Sequence, residues 1–203
     1  MIFAEAQAIF RQLRERAVEN QEATQEFESA LTTLVETYNT AIHENRFVVG
    51  GATEVLLCAW IKALGFACEW RSEIRTDLWI NEVPFSVKAN FARSSTIRLI
   101  NVLGASPNAE WNTPLLALLA EEGLFYADPT LVEREAIVRK ADVLEVKTRS
   151  IRQLRAQGWC ISIDVPRKPD TGAPSQVASY DVARAVLEKI ASQVLAAHFP
   201  KPH

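Results

Sequence analysis

The chain has 203 residues, of which 48% are apolar and 23% charged, and its formal net charge is −3 at pH 7. This balance is typical of one folded globular domain, and it excludes a disordered, collagenous or low-complexity chain. No apolar run approaches the roughly 20 residues that a membrane-spanning helix needs, and Glu5 interrupts the first apolar stretch. We therefore expect a cytoplasmic protein with no membrane partner.

Charge is distributed unevenly along the chain. Residues 1–45 hold three Arg and eight Glu, whereas residues 138–168 hold eight Lys or Arg against three acids. Such asymmetry predicts one basic face for phosphate contacts and an acidic body turned away from it, although a solvated charged surface would give the same pattern.

Cysteine and histidine usage argues against two classes of site. The three Cys have no CxxC spacing, and two of them, Cys58 and Cys160, lie in apolar helix or strand patterns. Buried thiols therefore fit better than disulfides or zinc. The three His are far apart in sequence, which disfavours catalysis based on histidine.

The first 45 residues predict two amphipathic helices. Apolar side chains recur at helical spacing over residues 4–19 and 22–42, and the remaining positions are rich in Glu. We interpret residues 1–45 as an N-terminal helical segment that either packs over a sheet or forms a dimer contact with a second subunit. Residues 46–203 then form the main domain.

The next stretch predicts a helix that carries an unusual acid. Residues 47–49 resemble a strand, the glycine pair at 50–51 breaks it, and an apolar helix follows over 55–64. Glu54, placed in the first turn, shares a stripe with Cys58 and so projects from an apolar face. It is either a carboxylate that favours the positive end of the helix dipole or a functional acid.

A β-hairpin is predicted over residues 76–80 and 83–88, joined by a short polar turn. A two-residue turn places Asp77 opposite Ser86, and a loop two residues longer places it opposite Lys88. In both registers these three side chains share one strand face, and the apolar side chains face the core. The Asp and Lys could equally form a simple cross-strand ion pair.

Together, Glu54, Asp77 and Lys88 predict a metal site for phosphodiester hydrolysis. Carboxylate oxygens are the hard ligands that Mg²⁺ prefers, and an ammonium group holds an attacking water and meets phosphate charge. The chemistry requires that the three side chains converge beside a surface able to accept DNA.

This order of helix acid, strand Asp, turn and x-x-Lys resembles the PD-(D/E)XK nuclease superfamily, and within it the type II restriction endonucleases. The resemblance covers residues 46–105. It implies that Asp77, Lys88 and Glu54 carry the catalytic set, with Asp77 and Glu54 as the metal ligands.

Two positions depart from the family pattern. Thr76 stands where the motif has Pro, and Ser86 stands where it has a second acid, so Ser86 supports the site without acting as a carboxylate ligand. Residues 89–109 contain no Asp or Glu. Glu54 is thus the best candidate for the missing acid, and two further acids stand behind it, Glu69 and Glu73.

The resemblance also implies the fold and the function. It predicts an α/β domain with a mixed central β-sheet flanked by helices, acting as a Mg²⁺-dependent, sequence-specific endonuclease of double-stranded DNA. Cutting both strands of a palindromic site implies a homodimer. The alternatives are a repair or junction nuclease of the same fold, or a non-catalytic DNA-binding protein, which the serine at position 86 motivates.

The segment after Lys88 predicts a DNA-contacting helix that a serine at 94 or 95 caps and Gly104 ends. Its polar side chains supply donors for phosphates and base edges. The candidates are Arg93, Ser94, Ser95, Thr96, Arg98 and Asn101.

The remaining elements are predicted as a helix over 115–119, strands over 124–127, 144–147 and 159–165, a helix from Ser150 to Arg155 and a final helix from Ser179. Residues 166–175 predict a surface loop. Four basic side chains are expected to line the DNA cleft, namely Lys147, Arg149, Arg152 and Arg155.

A rival motif, a literal Glu-x-Lys, occurs at Glu145 and Lys147, with Asp128 seventeen residues before it. In residue identity alone, this motif matches the family pattern better than the hairpin does. A charged, helix-like segment over 132–140 separates the two acids, however, and no hairpin links them. We therefore favour the site at Asp77 and Lys88.

Overall fold

The computed structural model describes residues 2–38, 43–71, 76–101, 110–140, 143–168 and 177–201. Its helices are α1 (Ile2–Glu19), α2 (Gln21–Thr37), α3 (His43–Ala63), α4 (Thr148–Gln153), α5 (Ser179–Lys189) and α6 (Val194–Ala197). Its strands are β1 (Cys68–Trp70), β2 (Leu78–Ile80), β3 (Val83–Asn90), β4 (Thr96–Asn101), β5 (Leu115–Leu119), β6 (Gly123–Ala127), β7 (Ile137–Lys140), β8 (Val143–Lys147) and β9 (Cys160–Ile161).

Within these residues the strands form two sheets. The larger has the order β1-β2-β3-β5-β6-β9, in which β3 and β5 are parallel and the other neighbours antiparallel. The smaller is antiparallel, with the order β4-β8-β7. Helices α1 and α3 both contact β3. The predicted α/β class, with a mixed central sheet and flanking helices, is confirmed.

One apolar core joins the sheet to the N-terminal helices. Every residue of β5 and β6 is buried, and Phe10 of α1 lies 5.5 Å from the ring of Tyr126 in β6. Phe27 of α2 stacks on Trp60 of α3 at 5.0 Å. The three cysteines are buried free thiols, as predicted. No helix in the described part of the chain is both long and apolar enough to cross a membrane.

The predicted hairpin is confirmed, and its register is the one with a two-residue turn. Ile80 pairs with Val83, and Leu78 pairs with Phe85. The turn residues Asn81 and Glu82 have φ values of 47° and 67°, the left-handed conformation that tight hairpin turns require. The apolar side chains of both strands are buried, as alternation predicted.

Helix α3 begins much earlier than predicted. It starts at His43 and continues through Gly50 and Gly51, so Glu54 lies about three turns into the helix and not in its first turn. The dipole explanation for this acid is therefore wrong. Gly51 is needed for close packing instead, because a Cβ there would lie 2.6 Å from Oγ of Ser179, at the start of α5.

The adjacent glycines give a matched test of this packing. Gly50→Ala should stabilise the protein by up to about 1 kcal/mol, because its Cβ would meet nothing within 4 Å and Ala is the better helix former. Gly51→Ala should destabilise it by about 1–3 kcal/mol, because α5 must move to relieve the overlap. Urea unfolding of both variants measures the difference, and equal effects would contradict the close contact.

The helix predicted from Ser94 or Ser95 to Gly104 is wrong where the structure describes it, because residues 96–101 form strand β4. Oδ1 of Asn90 accepts a hydrogen bond from the amide of Ser94, and Nδ2 of Asn90 donates one to the carbonyl of Ser94, both at 2.8 Å. These bonds make a turn, and β4 then pairs with β8. Residues 102–109 lie outside the described residues.

Two further helix predictions are also wrong. Residues 115–119 form β5, which lies between β3 and β6 and is buried on both faces. A strand of this kind carries a continuous apolar run and no alternation, so its pattern matches a buried helix. Residues 132–140 form a short 3₁₀ turn, Arg134–Ala136, followed by β7.

The C-terminal third follows the prediction in outline. Strand β8 is confirmed, α4 begins at Thr148 rather than Ser150, and the strand expected over 159–165 is reduced to β9. The final helix begins at Ser179, as predicted, but it is divided into two helices, α5 and α6. The Glu26 carboxylate accepts hydrogen bonds from three amides at the start of α6, those of Gln193, Val194 and Leu195.

Candidate functional site

Asp77 is held at the start of the hairpin by hydrogen bonds to one oxygen. Oδ2 accepts from the Ser86 hydroxyl at 3.0 Å, the Val87 amide at 2.6 Å and Lys88 Nζ at 3.1 Å. Its own amide donates to the carbonyl of Phe85 at 2.9 Å. Oδ1 receives no hydrogen bond from the described residues.

Lys88 is fixed by two acceptors. Nζ donates to Oδ2 of Asp77 at 3.1 Å and to the carbonyl of Val87 at 2.8 Å, with the side chain 34% exposed. An ammonium group has three N–H donors, so one remains for a water molecule or a phosphate oxygen. The register places Asp77 opposite Ser86, and the diagonal reach of the lysine completes the contact.

Glu54 enters the site from helix α3. Oε2 accepts a hydrogen bond from Nε1 of Trp70 in β1 at 3.2 Å. Burial, and then the negative charge of Asp77, raise the pKa of Glu54 from 4.5 to about 7, against the opposing effects of the Trp70 bond and the charge of Lys88. The pKa of Glu54 therefore depends on the charges of both Asp77 and Lys88.

The structure thus brings the three predicted side chains into one neighbourhood. Glu54 and Lys88 line a cavity of about 470 Å³ that lies between α3 and the turn after β3. An acid with a raised pKa, close to a second carboxylate and an ammonium group and lining a cavity, is a grouping common at catalytic sites. Glu54, Asp77 and Lys88 are therefore close enough to interact electrostatically, and their catalytic role stays a prediction.

The donor set fits Mg²⁺ in a limited way. Among the described residues, no group of three or more His, Cys, Asp or Glu side chains gathers where it could hold a metal. Mg²⁺ is nevertheless usually bound by one or two carboxylates, with water and phosphate oxygens completing its shell. Glu54 and Oδ1 of Asp77 would supply that minimum, and a bound cation would favour the charged form of Glu54, which burial and then the charge of Asp77 disfavour.

The turn after β3 presents polar groups beside the cavity. Ser94 and Ser95 are exposed, and their carbonyls accept hydrogen bonds from the hydroxyl of buried Thr148, at 3.2 and 3.0 Å. Arg93 pairs with Glu121 at 2.8 Å on the surface. The serines predicted to contact DNA therefore lie on a fixed turn and not on a helix.

The small sheet carries further basic candidates. Thr96 pairs with Lys147, and Arg98 pairs with Glu145, so these four side chains share one face of β4 and β8. Lys147 is exposed, Arg98 lies 3.6 Å from Glu145, and Arg149 is exposed at the start of α4. The side chain of Asn101 lies outside the described residues.

Arg152 and Arg155 are engaged elsewhere. Nε of Arg152 lies 2.7 Å from Oε1 of Glu122, and Arg155 donates to the carbonyl of Glu122 and stacks over the ring of Phe125. Both residues hold the turn between β5 and β6. Their contacts explain them as structural residues, so the prediction that they line a DNA cleft has no support in their geometry.

The rival motif does not assemble. Asp128 is fully buried after β6, where its carboxylate accepts hydrogen bonds from Tyr126, Gln7 and Thr130. Glu145 lies in the other sheet and pairs with Arg98. Asp128 therefore holds α1 against the large sheet, and the two acids of this motif have separate partners.

Two residues near the site were missed from the sequence. Trp70, which bonds Glu54, belongs to a three-residue strand too short to show alternation, and Lys168, which lines the cavity, lies 80 residues after Lys88 in an irregular segment. Of the reserve acids, Glu69 pairs with Arg71 on the surface and Glu73 lies outside the described residues.

Comparison with protein-family models, with curated proteins and with solved structures finds no match for this chain. The functional assignment therefore depends on the residues of the site and on their geometry.

Proposed function

We propose that this chain is a Mg²⁺-dependent endonuclease of double-stranded DNA, of the type II restriction class. One observation carries the proposal: Asp77 fixes Lys88 at 3.1 Å, and Glu54 shares both their electrostatic neighbourhood and the cavity that Lys88 lines. Two acids and one lysine are the minimum set for hydrolysis of a phosphodiester bond with a hard cation.

Each side chain has a distinct task in this proposal. Glu54 and Oδ1 of Asp77 would hold the cation, which when bound supplies Lewis-acid stabilisation of charge on the phosphate. Lys88 directs its remaining N–H at the attacking water or at a phosphate oxygen. Ser86, by donating to Oδ2, keeps the carboxylate of Asp77 oriented. One water adds to phosphorus as the P–O bond breaks, which leaves a phosphate monoester and an alcohol.

The DNA would lie across the turn after β3 and the polar face of the small sheet. Ser94, Ser95, Thr96, Arg98 and Lys147 are the contacts that this placement favours, because Ser94 lines the cavity and the others follow it in the turn or lie on the paired strands β4 and β8. We include a homodimer in the proposal, because a second active centre is needed to cut the opposite strand of a palindromic site.

A digestion tests the proposal directly. Incubation with long genomic DNA and Mg²⁺ should give discrete fragments, and EDTA should abolish them. A continuous smear or cleavage limited to branched DNA would favour the repair or junction nuclease. Binding without cleavage would favour the non-catalytic protein, for which Ser86 in the place of an acid is the supporting observation.

A further inference from the structure

Strand β1 contacts both acids of the proposed site. Nε1 of Trp70 donates a hydrogen bond to Oε2 of Glu54 at 3.2 Å. The next residue, Arg71, donates from its amide to the carbonyl of Asp77, also at 3.2 Å, and Trp70 itself pairs with Leu78. One short strand therefore links the helix that carries Glu54 to the hairpin that carries Asp77, so the position of β1 affects the distance between the two carboxylates.

Helix α3 alone does not fix the carboxylate of Glu54. Rotatable bonds separate a glutamate carboxylate from its backbone, and ordering them costs conformational entropy. The hydrogen bond from Trp70 selects the conformations in which Oε2 lies against the indole N–H. Both side chains are partly buried, where a hydrogen bond is stronger than in water. Trp70 is therefore placed to decide how the carboxylate of Glu54 is oriented.

The C-terminal helices hold the ring of Trp70 in turn. Tyr180 of α5 stacks against it, with the ring centroids 6.2 Å apart and the planes inclined by 28°. The hydroxyl of Tyr180 donates to the carbonyl of Pro200 at 2.8 Å, and its ring lies 5.0 Å from that of Phe199. The preceding residue, Ser179, packs closely against α3. Because Tyr180 is fixed at both ends, its ring restricts the orientation of the indole.

We propose that Trp70 is a positioning residue of this site, whose indole N–H orients the carboxylate of Glu54 toward the cation that Glu54 and Asp77 would share, while the ring of Tyr180 keeps the indole in place. The inference rests on the proposed function for the cation, and it deepens that function by naming the group that positions one of the two ligands. Hydrogen-bond partners of metal ligands typically contribute about 10–100-fold to metal affinity.

The test is titration of the protein with Mg²⁺ at pH 8 in the absence of DNA, with the rise in melting temperature as the measurement. Trp70→Phe keeps an aromatic ring against Tyr180 but removes the N–H donor, so half-maximal stabilisation should need roughly 10–100-fold more Mg²⁺. Tyr180→Leu should also weaken Mg²⁺ binding, and Tyr180→Phe, which keeps the ring, should weaken it less. Equal losses in the two Tyr180 variants would overturn the role of the ring.

Trp60→Phe is the matched control. Nε1 of Trp60 donates to Oγ1 of Thr24 at 3.3 Å, and its ring stacks on Phe27, so this substitution removes an indole hydrogen bond to α2 and none to the site. The variant should need the same Mg²⁺ concentration as the unaltered protein, even where it melts at a lower temperature. An unchanged Mg²⁺ requirement in Trp70→Phe, or an equal loss in Trp60→Phe, would overturn the inference.

A spectroscopic signal separates positioning from packing. The indole N–H resonance of Trp70 can be identified by its absence from the ¹H–¹⁵N spectrum of the Trp70→Phe variant. It should shift when Mg²⁺ is added, because the acceptor of that N–H is the carboxylate of Glu54. The shift should be lost in Glu54→Gln, and the resonance of Trp60 should not move. A Trp70 resonance that stays unchanged while Mg²⁺ stabilises the protein would contradict the positioning role.

These outcomes are separable from the digestion test. Mg²⁺ binding that depends on Trp70 in a protein that never cuts DNA would refute the nuclease and leave the positioning role. DNA cleavage by a protein whose Mg²⁺ binding is indifferent to Trp70→Phe would refute the positioning role and leave the nuclease. No stabilisation by Mg²⁺ at all would overturn the metal site that both proposals require.

Discussion

Replacing Lys88 with Met should reduce DNA cleavage by roughly 10³-fold or more and leave DNA affinity within a few-fold of normal. The substitution keeps the aliphatic stem but removes the ammonium group that Asp77 and the carbonyl of Val87 fix. The hydrolytic step then lacks the donor that would orient the attacking water. The surfaces predicted to contact DNA are unchanged. Single-turnover cleavage at saturating DNA measures the loss, and anisotropy of labelled DNA measures affinity.

Asp77→Asn should have a comparable effect on cleavage. It keeps one oxygen to accept the hydrogen bonds of Ser86 and Val87 but removes the negative charge that pairs with the lysine. The fold should survive, because the hairpin's core side chains remain buried. Circular dichroism and a thermal melt verify that loss of activity is not loss of structure.

The rival motif provides matched controls. Glu145→Gln should cut at the normal rate, and Lys147→Met should weaken binding and lower its salt dependence without slowing the chemical step. Full activity in Lys88→Met together with an inactive Glu145→Gln would move the active site to the small sheet. That outcome would overturn the assignment.

The hairpin shows how far the sequence alone leads. Because alternation has a period of two, a one-residue slip would bury Asp77 and Lys88, and both plausible registers therefore gave the same polar face. The structure selects the shorter turn, and the length of the lysine side chain makes the choice immaterial for its contact with Asp77. Residue type and spacing were sufficient to predict this half of the site.

The predictions of other elements were wrong because of tertiary contacts and burial that the sequence does not show. The run over 115–119 is apolar throughout because both faces of β5 are covered, and that pattern is shared by helix and strand. Gly51 was interpreted as part of a glycine pair that ends a strand, whereas it lies within α3 and its role depends on the approach of Ser179 from a distant part of the chain. Lys168 likewise reaches the cavity through a tertiary contact that no local pattern encodes.

Glu54→Gln should abolish cleavage and also make the protein more stable than the unaltered one at alkaline pH. The pKa of Glu54 is raised from 4.5 to about 7 in the folded state, so its stabilising contribution is full below pH 4.5 and is lost as pH rises through 7. Glutamine carries no charge and escapes that loss. The difference at pH 8 should be about 3 kcal/mol, at about 1.36 kcal/mol for each unit of pKa.

Urea unfolding from pH 5 to pH 8.5, in EDTA, measures this difference. Glu69→Gln is the matched control, because Glu69 pairs with Arg71 on the surface and its side chain is 53% exposed. It should follow the unaltered protein throughout. If the free energy of unfolding of the unaltered protein and of the Glu54→Gln variant changed with pH in parallel, Glu54 would not be a buried acid close to Asp77.

If Glu54 and Asp77 bind Mg²⁺, the ion should also change how the free energy of unfolding depends on pH. A cation and a proton compete for the carboxylate of Glu54, so added Mg²⁺ should stabilise the unaltered protein more at pH 8 than at pH 5.5. The Glu54→Gln and Asp77→Asn variants should lose most of that stabilisation at pH 8, whereas Glu69→Gln should retain it. This measurement needs no DNA, so it tests the proposed metal site even where the recognition sequence is missing from every substrate tried. Equal stabilisation of all four proteins would show that the ion binds elsewhere, and the metal-dependent mechanism would then lack its ligands.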